Sequence, residues 1–154
     1  MRFAADAMLG RLATWLRLLG YDTFYQPHID DGLLVRLARV ENRMILTRDV
    51  GVTQRRGVSA LLIASDDLRC QVRQVLSHFE LHPDIAALGG RCPRCNQPLH
   101  PLRKAAAVDR VPEHVWHSHE AFQECRLCNR VFWRGSHVEK MEARLREFLE
   151  EGET

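Results

Sequence analysis

An α/β fold built on a mostly parallel sheet is predicted by three features of this 154-residue sequence. Short apolar runs alternate with amphipathic stretches of helical period over roughly the first 80 residues. Several of those runs are continuously apolar, as strands covered on both faces are. After residue 90 the texture changes, and two C-x-x-C pairs mark a small metal-stabilised module.

The elements follow in order. "RFAA" (2–5) reads as a short strand. In 7–19, Leu9, Leu12, Ala13, Leu16 and Leu19 share one helical face, and Gly20 ends the helix. "YDTFY" (21–25) is strand-like through its aromatics and Thr23. A second helix covers 31–41 with Leu34, Leu37 and Ala38 inward, and "RMILT" (43–47) is a buried strand. A short helix follows Asp49. "SALLIA" (59–64) is a fourth strand, and 67–79 a helix with Leu68, Val72, Val75, Leu76 and Phe79 on one stripe. "LHPDIAALGG" (81–90) reads as a linker. The last helix, 136–151, opens on a capping box of Ser136 and Glu139 and carries Val138, Met141, Leu145, Phe148 and Leu149 on its apolar side. The expected division is 1–88, 89–136 and 137–154, the last packing on the core.

Hydrophobic residues at 45% and charged ones at 27% fit a globular chain rather than a disordered one. No apolar run approaches the ~18 residues of a membrane span, and the N-terminus lacks the apolar stretch of a secretory signal. We therefore expect a cytoplasmic protein with no membrane partner. The net charge of +2 is uneven: 89–136 carries 8 Lys+Arg against 4 acids. A basic middle segment suits a polyanion. Phosphate-loop, dinucleotide-binding and serine-hydrolase motifs are all missing, so no organic cofactor is expected. The sequence sets no oligomeric state.

Cys92, Cys95, Cys125 and Cys128 form two knuckles 29 residues apart. Four thiolates in this pattern suit one tetrahedral structural Zn²⁺ with no open position. The gap exceeds the usual roughly 15–20 residues, and a β-hairpin excursion through 102–116 would fill it. His100, His114, His117, His119 and His137 are not needed as ligands. Cys70 reads as a small buried or flanking residue. "RVFWRGSH" (130–137) mixes aromatics with arginine, as nucleic-acid surfaces do; alternatively, Phe132 and Trp133 pack the ribbon against the first domain.

Acids recur where strands end: Asp6, Asp30 with Asp31, Asp49, and Asp66 with Asp67. Singly, each is a good helix N-cap, and Asp49 can also pair with Arg48. Collectively, in a parallel sheet, they sit at the carboxyl edge, where open α/β sheets bind ligands. Gathered carboxylates repel unless a cation lies between them, and hard oxygens suit Mg²⁺ or Mn²⁺. Such a metal works on phosphodiesters, with Arg11, Arg17, Arg48, Arg55 and Arg56 as candidate phosphate contacts.

The stretches "DAMLGRLATWLRLLGYDT" (6–23), "DDGLLVRLA" (30–38), "ILTRD" (45–49), "RCPRCN" (91–96) and "ECRLCNRVFWRGSHVEKM" (124–141) resemble the Mut7-C RNase domain family, a PIN-like nuclease domain followed by a zinc ribbon. The resemblance implies a PIN-like parallel sheet flanked by helices, a small zinc-ribbon module, a C-terminal helix, a divalent metal and an RNA substrate. Asp6, Asp31 and Asp49 match the family's acidic positions, with Asp30 and Asp66 as further candidates. PIN nucleases often carry an acid on a central helix; this chain offers only Glu41, at a helix C-terminus. Arg11, Arg17, Arg48, Arg134 and His137 are the candidate RNA contacts. The expected function is a divalent-metal-dependent ribonuclease. A non-catalytic RNA- or ribosome-associated zinc-ribbon protein is the alternative, and a protein-interaction subunit docking through the last helix a weaker one.

Overall fold

A computed structural model describes residues 1–150, without the side chains of 136 and 137. The first half is an α/β layer structure. Strands β1 (Arg2–Ala5), β2 (Asp22–Phe24), β3 (Met44–Thr47) and β4 (Ala60–Leu62) form one sheet in the order β2-β1-β3-β4, every pair parallel. Helices α1 (Gly10–Leu18), α2 (Asp31–Glu41), α3 (Val50–Thr53) and α4 (Leu68–His78) connect and follow them.

Strand residues alternate between two apolar cores, as the pleat requires. Phe3, Ala5 and Leu46 face the larger core, with Leu12 and Leu16 of α1 and Val72 and Val75 of α4. Ala4 and Ile45 face the smaller one, with Leu34, Val35 and Ala38 of α2 and Val52 of α3. Burial on both faces explains why these strands read as continuous apolar runs.

Helix α1 starts three residues later than its apolar period suggests. Asp6 turns the chain first: its Oδ1 accepts from Met8 N at 2.9 Å and its carbonyl from Leu9 N at 3.1 Å. Helix α2 ends on Asn42 in the left-handed region (φ 52°), and Gly20 follows α1 at φ 92°, a conformation that suits glycine.

The 81–90 stretch is not an open linker. Ile85–Ala87 form a 3-10 turn, Leu88 is buried in the larger core beside Leu81 and Ile85, and Gly89 N donates to Leu18 O. The expected hairpin excursion is also corrected. Only β5 (His100–Leu102) forms there, followed by two short helices, α5 (Lys104–Ala107) and α6 (Glu113–Ser118). The "KAAA" run favours helix over strand, and Ala107, Val115 and Phe122 form a small core beneath. Strands β5, β6 (Phe122–Glu124) and β7 (Val131–Trp133) make an antiparallel ribbon in that order. Trp133 packs on the ribbon's own core rather than on the first sheet.

Helix α7 (Ser136–Glu150) returns to the larger core, burying Leu145 and Phe148, the latter against Trp15 with ring centroids 5.2 Å apart. Leu149, expected on the apolar stripe, is exposed. The Ser136 half of the expected capping box lies outside the described residues.

Candidate metal centre and carboxyl rim

The two knuckles share one local design. Cys92 N donates to Gln97 O while Asn96 N returns to Cys92 O; Cys125 N donates to Arg130 O while Asn129 N returns to Cys125 O. Each loop closes on an asparagine in the left-handed region, Asn96 at φ 62° and Asn129 at φ 59°. Asparagine tolerates that conformation better than most residues. The repeated C-x-x-C-N was visible in the sequence and is the signal for both asparagines.

All four sulfur atoms lie within 4.8 Å of one another. A tetrahedral Zn²⁺ with Zn–S bonds of about 2.3 Å places sulfurs about 3.8 Å apart, and Cys92 Sγ is 3.8 Å from Cys128 Sγ. Burial and the neighbouring thiols push Cys95 up to about 12. Burial also opposes ionisation of Cys125, but the backbone N–H groups of Cys128 and Leu127 outweigh it and bring that thiol down to about 7. Four such thiols cannot all ionise without a cation among them. The donor set therefore fits a closed zinc site, and no histidine among the described residues joins it. Among the described residues this is the one group of three or more His, Cys, Asp or Glu side chains gathered closely enough to hold an ion.

The first knuckle is tied to the edge strand of the parallel sheet. Thr23 in β2 has its N–H bonded to Asn96 Oδ1 at 2.9 Å and its carbonyl to Arg17 Nε at 2.8 Å. Arg17 Nη1 continues to the carbonyls of Pro93 and Arg94. This caps a sheet edge that would otherwise expose unpaired groups. It also corrects the expectation that Arg17 contacts RNA: the side chain is buried at 6% exposure and spends its guanidinium on three carbonyls. Cys70 is exposed on α4, so of its two expected placements, buried or flanking, the buried one does not hold.

The acids lie at the carboxyl edge, each with a local task. Asp6, 6% exposed, sits where β1 and β3 end side by side. Its Oδ2 accepts from Thr47 Oγ1 at 2.6 Å and from Arg48 N at 2.8 Å. Thr47 Oγ1 in turn accepts from Asp49 N at 3.0 Å. A buried carboxylate thus knits the two strand ends together and is linked through Thr47 to the backbone of Asp49. Asp49 Oδ1 caps α3 through Gly51 N at 2.7 Å, and Asp30 Oδ1 caps α2 through Leu33 N at 2.9 Å. Asp67, not Asp66, caps α4 through Cys70 N, which holds its carboxyl below the ordinary value. Asp31 is exposed in the first turn of α2 and accepts no hydrogen bond among the described residues.

These aspartates do not form a second tight ligand cluster. Asp31 and the second oxygens of Asp30 and Asp49 carry no hydrogen bond among the described residues, whereas Asp6 is largely occupied. As hard oxygens on one edge they suit a divalent ion in chemistry. Glu41 is elsewhere, pairing with Arg2 and Arg43 at the opposite edge of the sheet.

Of the remaining candidates, Arg11 lines a cavity of about 370 Å³ with Asp66, Arg69, Arg144 and Phe148. Arg134 bonds to Ala86 O and Glu142, strapping the ribbon to the 3-10 turn and α7. The His137 side chain lies outside the described residues. No helix among the described residues is long and apolar enough to cross a membrane.

No curated protein and no solved structure matches this chain. The family model of the Mut7-C RNAse domain matches residues 1–145, from the first strand through most of the last helix, and so takes in both the carboxyl rim and the cysteine cluster. The chain belongs to the Mut7-C RNAse domain family.

Proposed function

We propose that this protein is a divalent-metal-dependent ribonuclease whose reaction takes place at the carboxyl edge of the parallel sheet. The observation that carries this reading is the position of Asp6. In the order β2-β1-β3-β4 the chain reverses its direction of travel between β1 and β3, and such a switch point is where open α/β sheets bind ligands. Asp6 stands at that point, with Asp49 one hydrogen-bonded residue away. Family membership supports RNA as the substrate.

Asp6, Asp31 and Asp49 would hold Mg²⁺ or Mn²⁺, with Asp30 and Asp66 as further donors; the ion supplies water activation and charge neutralisation at phosphorus. The chain's own part is positional. Thr47 and the Arg48 N–H fix the Asp6 carboxylate, and caps fix Asp49 and Asp30. The cysteine cluster, closed to further ligands, orders the ribbon and plays no part in bond cleavage.

The competing reading, a non-catalytic RNA-binding module, draws on the local capping roles of Asp30 and Asp49 and on the lack of a gathered acidic cluster among the described residues. One experiment separates the two. Zinc-loaded protein is incubated with a mixture of structured and single-stranded RNAs plus Mn²⁺, alongside Asp6→Asn and Asp49→Asn. Cleavage by the wild type that disappears in both variants, with their folds intact, is the expected result. Cleavage equal in all three, or RNA binding without any cleavage, overturns the enzyme.

A further inference from the structure

Arginines abound in this chain, and two of the candidate RNA contacts are committed within the fold. Arg17 is bound to three carbonyls, and Arg134 to Ala86 O and Glu142. Arg48 is different. Its Nη1 is shut off from water and has no hydrogen-bond partner, the one buried side-chain nitrogen or oxygen among the described residues in that state. A buried orphan donor is costly, more so when the group is charged, so folds ordinarily place a partner beside it.

The neighbours make the omission pointed. Arg48 lies between Asp6 and Asp49 in the switch-point network, and its backbone N–H is bonded to Asp6 Oδ2. Yet neither carboxylate takes its guanidinium. Asp6 is filled by Thr47, Met8 and the Arg48 backbone, and Asp49 turns to Gly51. The simple Arg48–Asp49 ion pair suggested by adjacency does not form among the described residues. A permanently charged, forked donor is therefore held at the carboxyl edge with no internal anion assigned to it.

Building on the ribonuclease reading, we propose that Arg48 is the residue that binds a phosphodiester oxygen of the RNA at this rim. Nη2 and Nε, unlike Nη1, are not shut off from water, and they match the planar pair of non-bridging oxygens. With its backbone N–H bonded to Asp6 Oδ2, Arg48 places the phosphate beside the acids rather than farther along the surface.

The test uses the full, zinc-loaded chain and a short fluorescein-labelled oligouridylate, with no Mg²⁺ or Mn²⁺ added, so that binding is read without cutting. Arg48→Met should weaken binding about 5- to 20-fold at moderate salt and flatten the slope of log K against log salt by about 0.7, one phosphate's share on a single strand. Arg48→Lys should restore part of both. Thermal denaturation supplies the readout that a structural role would not share: Arg48→Met removes an orphan donor and keeps an apolar stem, so its midpoint should equal or exceed that of the wild type. Unchanged affinity and slope in Arg48→Met overturn the assignment. So does a loss of binding accompanied by a lowered midpoint. Cleavage with Mn²⁺ is scored separately. A wild type that cuts while Arg48→Met keeps its KM rejects Arg48 and leaves the nuclease reading standing; a wild type that binds through Arg48 but never cuts does the reverse.

Discussion

Four thiols from two distant loops converge on one point in the ribbon, whereas the aspartates at the carboxyl edge of the sheet keep to separate stations. The difference lies in what else each side chain can do. A buried thiol is a poor hydrogen-bonding group and has no structural task at a knuckle other than ligation. A carboxylate after a strand has a ready occupation, capping the next helix, and Asp30, Asp49 and Asp67 all take it. Clustered cysteines therefore announce a metal site more cleanly than recurring aspartates do.

The largest effect should come from breaking the cysteine side. Cys125→Ser, or removal of zinc by a strong chelator, should release the metal, unfold the ribbon and lower the thermal midpoint of the whole chain, since structural zinc contributes about 10–16 kcal/mol in small modules. Because Asn96 closes a knuckle and also accepts from Thr23 N, the Thr23 amide should lose hydrogen-exchange protection with the ribbon amides. Persisting protection at Thr23 after metal loss would show that the sheet edge does not depend on the knuckle. Next in size is Arg17→Met. Truncating a buried guanidinium that serves three carbonyls should cost about 2–4 kcal/mol in urea denaturation, with zinc content retained and RNA affinity corrected for folding unchanged. A specific loss of RNA affinity at full stability would return Arg17 to the substrate surface.

The sheet was legible because its strands are buried on both faces and its helices carry one apolar stripe each; α2, Asp31–Glu41, has the bounds its period gives. The cysteine ligands were legible from spacing. What escaped was whatever depends on long-range partners. Nothing local in "LATWLRLLG" distinguishes the buried Arg17 from the exposed Arg11; only the arrival of Pro93 and Arg94 does. The segment 81–90 looked like a linker because its Gly-Gly outweighed Leu81, Ile85 and Leu88, whose spacing of three to four residues is that of a buried turn. At the rim, position was readable and occupation was not. That the Asp6 carboxylate would be spent on Thr47 and Arg48 requires β3 beside β1, which is topology rather than pattern.

The smallest effect concerns an acid that belongs to neither group. Asp22, in the edge strand, is engaged by two arginines and an asparagine at once. Arg43 Nη1 lies 2.7 Å away, Arg2 Nε 3.3 Å, and Asn96 Nδ2 donates at 2.7 Å. Burial pushes its pKa up, but the hydrogen bonds from Arg43 and Asn96 prevail and hold it at about 2. The folded value lies below the ordinary 3.8, so its stabilisation is complete above about pH 4 and is lost as the pH falls through about 2. Allowing for solvent screening of a partly exposed group, that stabilisation is about 1–2 kcal/mol. In urea titrations, wild type and Asp22→Asn should differ by this amount at neutral pH and converge as the pH drops from 4 towards 2. A gap that stays constant across that range would mean the pairing with Arg43 contributes through shape and not charge. Convergence would leave Asp22 as a carboxylate whose partners are already in place, in contrast to Asp31, which accepts no hydrogen bond among the described residues and keeps its oxygens open to a ligand from outside.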